Sequence, residues 1–316
     1  MSTHPHTHSH FGDLANQTTK RLALSLVLTL AFVFIEVGAG IISNSLALLT
    51  DAAHNFTDVI ALGLSWYALR ISSQPSHAGK TYGYHRVGIL VALVNSTTLI
   101  LISFGIFYEA WQRFIAPPIV DAPILIGVGA VAFIINTATA WLVQKGGDHD
   151  LNLRSTFVHL MGDVLSTIGA VIAGILILFT KWNWLDPFVS VLIGALILWN
   201  AWGILRQTIH ILLESAPENI NMKNMVADLL KIEGVRGVHD LHVWSINENL
   251  RVLSAHVMTE DIPISSGITI QRGVNEILFH KYNIQHATLQ LECEGCDPSM
   301  LYCDITEINH THEARV

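Results

Sequence analysis

The chain has 316 residues, of which 51% are hydrophobic and only 13% are charged, and its mean hydropathy is +0.46. Soluble domains carry about 25% charged residues, so this composition indicates a membrane protein. The formal net charge of −8 excludes a basic protein that binds nucleic acid.

The N-terminal segment is polar and rich in histidine, with the sequence HPHTHSH. Residues 1–19 are predicted to form a flexible tail. The composition is consistent with a tail that gathers metal ions, and equally with one that is simply disordered. Histidines of this kind lie near both ends of the chain, at His4, His6, His8, His10, His310 and His312.

Six apolar stretches fill residues 20–211. Each is close to the roughly 20 residues that are needed to cross about 30 Å of hydrocarbon. They therefore predict a membrane domain of six transmembrane helices, the first two separated by a tight SNS turn. The predicted ranges are about 21–42, 46–70, 87–110, 121–144, 155–180 and 186–208.

The positions of Lys and Arg predict the orientation of these helices. If the N-terminus is cytosolic, only Arg113 and Lys181 face the opposite side. This asymmetry agrees with the positive-inside rule, so both ends of the chain are expected in the cytosol. The cytosolic residues are then Lys20, Arg21, Arg70, Lys80, Arg86, Lys145, Arg154 and Arg206.

Residues 212–295 have a different composition and predict a small soluble domain. A polar linker leads into a helical pattern in ESAPENINMKNMVADLL, and GVRGVHDLHVWSI and LRVLSAHVMTE then alternate as strands. SSGITIQRGVNEILFHKY predicts a helix, and ATLQLE a last strand. The order α-β-β-α-β indicates an α/β domain with helices on one side of a sheet. Residues 296–316 are predicted to form a C-terminal tail.

Two apolar stretches contain ionisable residues at the same spacing. His54 and Asp58 lie four residues apart in the second stretch, and His159 and Asp163 repeat the pattern in the fifth. On a helix each pair shares one face. Two imidazoles and two carboxylates can form a tetrahedral Zn²⁺ site in which the aspartates cancel the charge of the ion. The alternative is that these side chains only form hydrogen bonds between helices. Ionisable groups are unfavourable in free energy inside a membrane, so two identical pairs of them favour a functional site.

Two further acids in the same region are not assigned to this site. Asp51 lies near the start of its helix, where it is consistent with a helix cap or with the lining of an entrance. Glu36 is consistent with pairing to a neighbouring side chain.

At these residues the sequence resembles the cation diffusion facilitator family. The motifs SNSLALLTDAAHNFTD, TYGYHR, STFVHLMGDVLSTIGA and VHDLHVW carry the resemblance over about residues 20–292. It implies a homodimeric, proton-coupled exporter of divalent metal in the inner (cytoplasmic) membrane, with a metallochaperone-like cytoplasmic domain. His54, Asp58, His159 and Asp163 fall on the transport-site positions of the family. Members with histidine in both pairs are typically exporters of zinc and cadmium.

Other candidate ligands lie in the C-terminal domain. His239 and His256 lie on the first two predicted strands and match metal positions of the family. His286 and Glu292 are six residues apart around the last strand and therefore share its face. A regulatory Zn²⁺ site and a set of ordinary surface histidines are the two interpretations. Three cysteines, Cys293, Cys296 and Cys303, follow, and a lone CxxC pair is weak support for a metal site.

The functional alternatives are a transporter that exchanges Zn²⁺ for H⁺ and a membrane-embedded metalloenzyme. An enzyme site keeps an open coordination position and supplies a general base, as HExxH does. The apolar stretches contain no HExxH motif. The sequence therefore favours transport, with Zn²⁺, Cd²⁺ and related ions as cargo, no bound cofactor and no enzymatic activity.

Overall fold

The computed structural model describes residues 29–144 and 151–293, and the side chains of residues 142–159 lie outside this description. The described residues form two compact units. We call residues 29–70 with 91–205 the membrane unit, and residues 71–90 with 206–293 the C-terminal unit. The main helices are Thr29–Ser43 (α1), Leu46–Ser72 (α2), Val87–Ile115 (α3), Ala122–Gln144 (α4), Leu151–Thr180 (α5) and Leu185–Leu212 (α6).

Among the residues that the structure describes, a helix lies in each of the six predicted apolar stretches, as expected for the membrane α-helical class. Within the described residues, four helices are long and apolar enough to cross a membrane: α3, α4, α5 over Leu160–Thr180, and α6. The 27 residues of α2 extend over about 40 Å, which is also long enough for a span. Its polar residues lower its hydropathy, and several of them are buried inside the protein.

The outer faces of these helices carry large apolar side chains. Phe34, Leu101 and Trp199 are each at least 66% exposed, which in water would be unfavourable. Their exposure is the expected arrangement for helices whose surroundings are lipid. Close helix packing lies on the inner side, where a Cβ atom on Gly174 of α5 would lie 2.8 Å from Ile126 of α4. Small residues of this kind allow transmembrane helices to approach closely.

The start of α2 is held by a buried acid from α6. Both Asp186 and Ser45 are fully buried, and the Ser45 hydroxyl donates to Asp186 Oδ1 at 2.6 Å. The backbone N–H groups of Leu46 and Ala47 also donate to this carboxyl group, at 2.7 and 3.3 Å. The first N–H groups of a helix have no partner within the helix, so Asp186 supplies the missing acceptors. Asn44, with φ of 53°, makes the tight turn that precedes them.

The C-terminal unit contains a three-stranded sheet and two helices. Its elements are Met222–Leu229 (α7), Gly237–Ser245 (β1), Arg251–Met258 (β2), Ile264–Tyr282 (α8) and His286–Glu292 (β3). The strand order is β1-β2-β3, with β1 antiparallel and β3 parallel to β2. This confirms the predicted order α-β-β-α-β. Leu253, Val257 and Leu278 are completely buried in the core of this unit.

A charged cluster joins α7 to α8 in this unit. Asp228 accepts hydrogen bonds from Lys231, Lys281 and Tyr282, the last at 2.6 Å. These donors hold the pKa of the Asp228 carboxyl group well below its usual range. Burial and the neighbouring carboxylate raise the pKa of Tyr282 to about 12.

The segment 71–90 belongs to the same unit, where Arg86 contacts Glu214 at 2.9 Å.

Candidate metal sites

The membrane unit brings together three of the four predicted transport ligands. His54 and Asp58 lie one helical turn apart on α2, and the His54 Nε2 atom is 3.6 Å from Asp58 Oδ2. The same nitrogen lies 3.1 Å from Asp163 Oδ1 on α5. One ligand atom from each residue lies within 4.8 Å of the other two. A Zn²⁺ ion with ligand distances of about 2.0–2.2 Å fits among atoms at this separation.

His159 is the fourth predicted ligand. It lies one helical turn before Asp163 on α5, but its side chain lies outside the described residues. Its assignment remains a prediction from the repeated spacing.

The three described ligands differ in their exposure. The side chains of His54 and Asp163 are 8% and 10% exposed, whereas that of Asp58 is 32% exposed. The site is therefore closed to solvent around His54 and Asp163 and more open beside Asp58. Two ionised aspartates in such a position would be costly without a cation to balance them. Together with a neutral imidazole they form a donor set that suits Zn²⁺.

A layer of buried polar groups continues from this site. The Ser166 hydroxyl donates both to the backbone carbonyl of Asp163 at 2.8 Å and to Asp51 Oδ1 at 3.0 Å. Asp51 therefore faces α5, and the capping of α2 that the sequence also allowed is performed by Asp186. Asn55 Nδ2 donates to Glu36 Oε2 at 3.1 Å, so Glu36 does pair with a neighbour. The sequence signal for this layer was the presence of acids inside apolar stretches.

A second cluster lies at one end of the sheet in the C-terminal unit. His239 on β1 is paired directly with His256 on β2, and their rings are 5.2 Å apart. Glu292 ends β3, with Oε2 3.2 Å from His239 Nε2 and Oε1 3.0 Å from His256 Nδ1. One ligand atom from each of the three lies within 4.8 Å of the others. Two imidazoles and one carboxylate provide three protein ligands for a zinc ion.

His286 lies apart from this cluster although it shares a strand with Glu292. It begins β3, six residues before Glu292, which corresponds to about 20 Å along the strand. Its ring instead packs edge-on against Tyr82, with centroids 6.2 Å apart. The two residues share a face, as the spacing predicts, but they cannot bind one ion.

Asp240 is a further neighbour of the cluster, and its position was not predicted from the sequence. Its Oδ2 atom lies 3.6 Å from His256 Nε2, and its Oδ1 atom lies 3.0 Å from His242 Nε2. A β-bulge between His239 and His242 turns the strand here. The cysteine Cys293 is exposed just after β3. Cys296, Cys303 and the terminal histidines lie outside the described residues.

Comparison with known proteins identifies the family of this architecture. The model of the cation efflux transmembrane domain matches residues 22–213, and the model of the cation efflux protein cytoplasmic domain matches residues 217–294. The chain belongs to the cation efflux family. This confirms the predicted resemblance to cation diffusion facilitators. As a cation efflux protein it is a multi-pass membrane transporter and not an enzyme, so the metalloenzyme alternative is set aside.

Individual relatives cover nearly the whole chain. It is 36% identical over 304 residues to the "Cadmium, cobalt and zinc/H(+)-K(+) antiporter" of Bacillus subtilis, covering 93% of this chain and 96% of the relative. It is 37% identical over 311 residues to the zinc transporter ZitB of Pectobacterium atrosepticum, covering 97% and 93%. A solved structure, the metal-bound C-terminal domain of the CzcD transporter, matches 23% of this chain and 99% of its own with 25% identity and a TM-score of 0.22.

Proposed function

We propose that this protein exports Zn²⁺, with Cd²⁺ and related divalent ions as alternative cargo, from the cytosol in exchange for H⁺. The convergence of His54, Asp58 and Asp163 in the membrane unit is the observation that carries this proposal. His159 completes the set of four. The names of the relatives, which include zinc, cadmium and protons, support the same assignment.

The ligand types account for the choice of metal. Imidazole suits Zn²⁺ better than harder ions such as Mn²⁺, and carboxylates alone would favour the harder ions. Two aspartates and two neutral histidines give the loaded site a net charge near zero, which allows it to be moved within a low-dielectric environment. Four protein ligands also leave no open coordination position for a reactive water.

Proton exchange follows from the same ligands. Only neutral imidazole coordinates a metal ion, so Zn²⁺ binding from the cytosol displaces protons from His54 and His159. The helices that carry the site then expose it to the other side, as in alternating access. Protons at higher activity there compete for the histidines, since the unperturbed pKa of imidazole is about 6.5. The metal ion leaves, and the protonated carrier returns.

The cytoplasmic cluster is proposed to regulate transport. A Zn²⁺ ion held by His239, His256 and Glu292 would link all three strands of the sheet. We place this domain within a homodimer, because a domain of about 80 residues gains stability from association and a two-fold dimer is the commonest arrangement. The proposed organisation is a tail at 1–19, a membrane domain at 20–211, the cytoplasmic domain at 212–295 and a tail at 296–316. Both termini then lie on the cytosolic side of the inner membrane.

The proposal is tested by metal uptake into inside-out vesicles with an imposed proton gradient, across a panel of divalent ions. We expect Zn²⁺ and Cd²⁺ to accumulate when the interior is acidic, and Mn²⁺ to accumulate far less. Asp163→Asn should abolish accumulation. Glu109→Gln is the matched control, because it makes the same chemical change at a half-exposed ion pair with Arg113 on α3. Equal uptake by the Asp163→Asn variant and the wild type would contradict the proposed site.

A further inference from the structure

A second pair of acids is buried beside the proposed transport site and is not among its ligands. Glu36 on α1 is fully buried, and Asp51 on α2 is only 3% exposed. Glu36 Oε2 accepts one hydrogen bond, from Asn55, and no N–H or hydroxyl group of the described residues donates to Glu36 Oε1. Asp51 lies one helical turn before Asn55 on α2, so its side chain is on the helix face to which Glu36 is hydrogen-bonded.

The surroundings of this pair provide no positive charge. The described groups that face it are Asn55, the Ser166 hydroxyl from α5 and, beyond Asp51, the ligands His54 and Asp163. Neither acid forms an ion pair with Lys or Arg in the part of the chain that the structure describes. Neighbouring carboxyl groups in such a site cannot both ionise, because burial and their mutual repulsion both disfavour a second negative charge. A fully ionised Glu36 would also leave its Oε1 charge buried without a donor.

We propose that Glu36 is a proton-binding position of the transport cycle, separate from the metal ligands. In the metal-free carrier Glu36 and Asp51 hold one proton between them. Binding of Zn²⁺ at the adjacent site expels this proton. The inference rests on the proposed exchange of Zn²⁺ for H⁺ and adds one named residue to the proton count.

The structure also connects the metal site to this pair through hydrogen-bonded groups. Ser166 donates to both Asp51 and the backbone carbonyl of Asp163, while Asn55 follows the ligand His54 directly and donates to Glu36. The two positive charges of the ion stabilise nearby carboxylates in their ionised form. Atoms and total charge are conserved in this step: the carrier gains one Zn²⁺, the H⁺ held at Glu36 leaves to the solution, and the charge of the carrier rises by one. On the opposite side the reverse step takes one proton up and weakens the hold on the metal ion.

Proton counting tests the role of Glu36 directly. The protons released per Zn²⁺ bound are measured for the full-length protein in detergent by calorimetry in two buffers of different protonation enthalpy. Glu36→Gln keeps the size and polarity of the side chain but cannot release a proton. We expect it to bind Zn²⁺ and to release about one proton fewer than the wild type, while Glu109→Gln matches the wild type.

The outcomes separate this inference from the proposed function. If Glu36→Gln releases as many protons as the wild type, the role of Glu36 is wrong while zinc–proton exchange stands. If the wild type itself releases none, both are wrong.

Infrared difference spectroscopy provides a second test, which can be made on the wild-type protein and so does not depend on the folding of a variant. Addition of Zn²⁺ to the wild type should remove the C=O stretching band of a protonated carboxylic acid. Retention of that band through saturation would overturn the inference. In a folded Glu36→Gln protein the lost band should be absent from the difference spectrum, and its persistence there would also overturn the assignment to Glu36.

Discussion

Replacing Asp163 by Asn should remove most of the zinc affinity of the membrane unit and leave its helices intact. The substitution keeps the shape of the side chain. The hydroxyl groups of Ser166 and Thr167 bond to the backbone carbonyl of residue 163, at 2.8 and 3.1 Å, so these contacts persist. The charge is what changes. With neutral histidines, Asp58 and Asp163 balance the two charges of Zn²⁺, and the variant leaves one positive charge uncompensated in a buried site.

The size of the effect follows from the burial of Asp163. Removing one partner of a buried ionic cluster costs about 3–5 kcal/mol, which raises a dissociation constant roughly 100- to 4,000-fold. Asp163 belongs to this class because its side chain is 10% exposed. Asp58 is 32% exposed and can be compensated in part by water, so Asp58→Asn should cost less.

Calorimetric titration of Zn²⁺ into detergent-solubilised protein measures both variants. Glu109→Gln serves as the control for the loss of a carboxylate elsewhere in the same unit. The reasoning would be refuted by an Asp163→Asn protein that binds Zn²⁺ within tenfold of the wild type. A larger cost for Asp58→Asn than for Asp163→Asn would refute the ranking by burial.

Three further predictions concern other parts of the molecule. Asp186→Ala removes the acceptor of Ser45 and of the first N–H groups of α2, and leaving buried donors unsatisfied should lower the free energy of unfolding by about 1–3 kcal/mol; unchanged thermal unfolding in detergent would contradict this. The folded state lowers the pKa of Asp228, so its carboxylate stabilises the protein above its ordinary pKa of about 4, and this contribution is lost as pH falls through the folded-state value. Thermal unfolding of Asp228→Asn should therefore begin at lower temperature than that of the wild type at pH 7, and the gap should shrink steadily in acid; a gap that is the same at every pH would disprove it. The double variant His239→Ala, His256→Ala should lose activation at low Zn²⁺ and keep transport at high Zn²⁺, as measured by vesicle uptake; complete loss of transport, or no change at any Zn²⁺ level, would contradict a regulatory role.

The helices and strands were predictable because their signals are local. An apolar run of about 20 residues identifies a span wherever it lies, and two-residue alternation identifies the strands of the C-terminal unit. The spacing of His54 and Asp58 likewise predicted that both would share one helix face, and the structure agrees.

Contacts between distant residues were not predictable from these local patterns. Ser45 and Asp186 are 141 residues apart, and nothing in either segment indicates the other. Asn55 and Glu36 meet across the turn between α1 and α2, and only the packing of the two helices selects that pair. His286 is a different case, because it was grouped with Glu292 on their shared face alone, although six residues of extended strand already separate the two by about 20 Å.

The most direct test of the central claim measures whether zinc and protons move against each other through this protein. Purified protein is reconstituted into liposomes that contain a pH-sensitive dye, and a Zn²⁺ gradient is applied while a potassium ionophore clamps the membrane potential. We predict that the entry of Zn²⁺ makes the lumen more alkaline as protons leave, and that Asp163→Asn abolishes both signals. Accumulation of Zn²⁺ by the wild-type protein with no change in luminal pH would contradict the exchange mechanism.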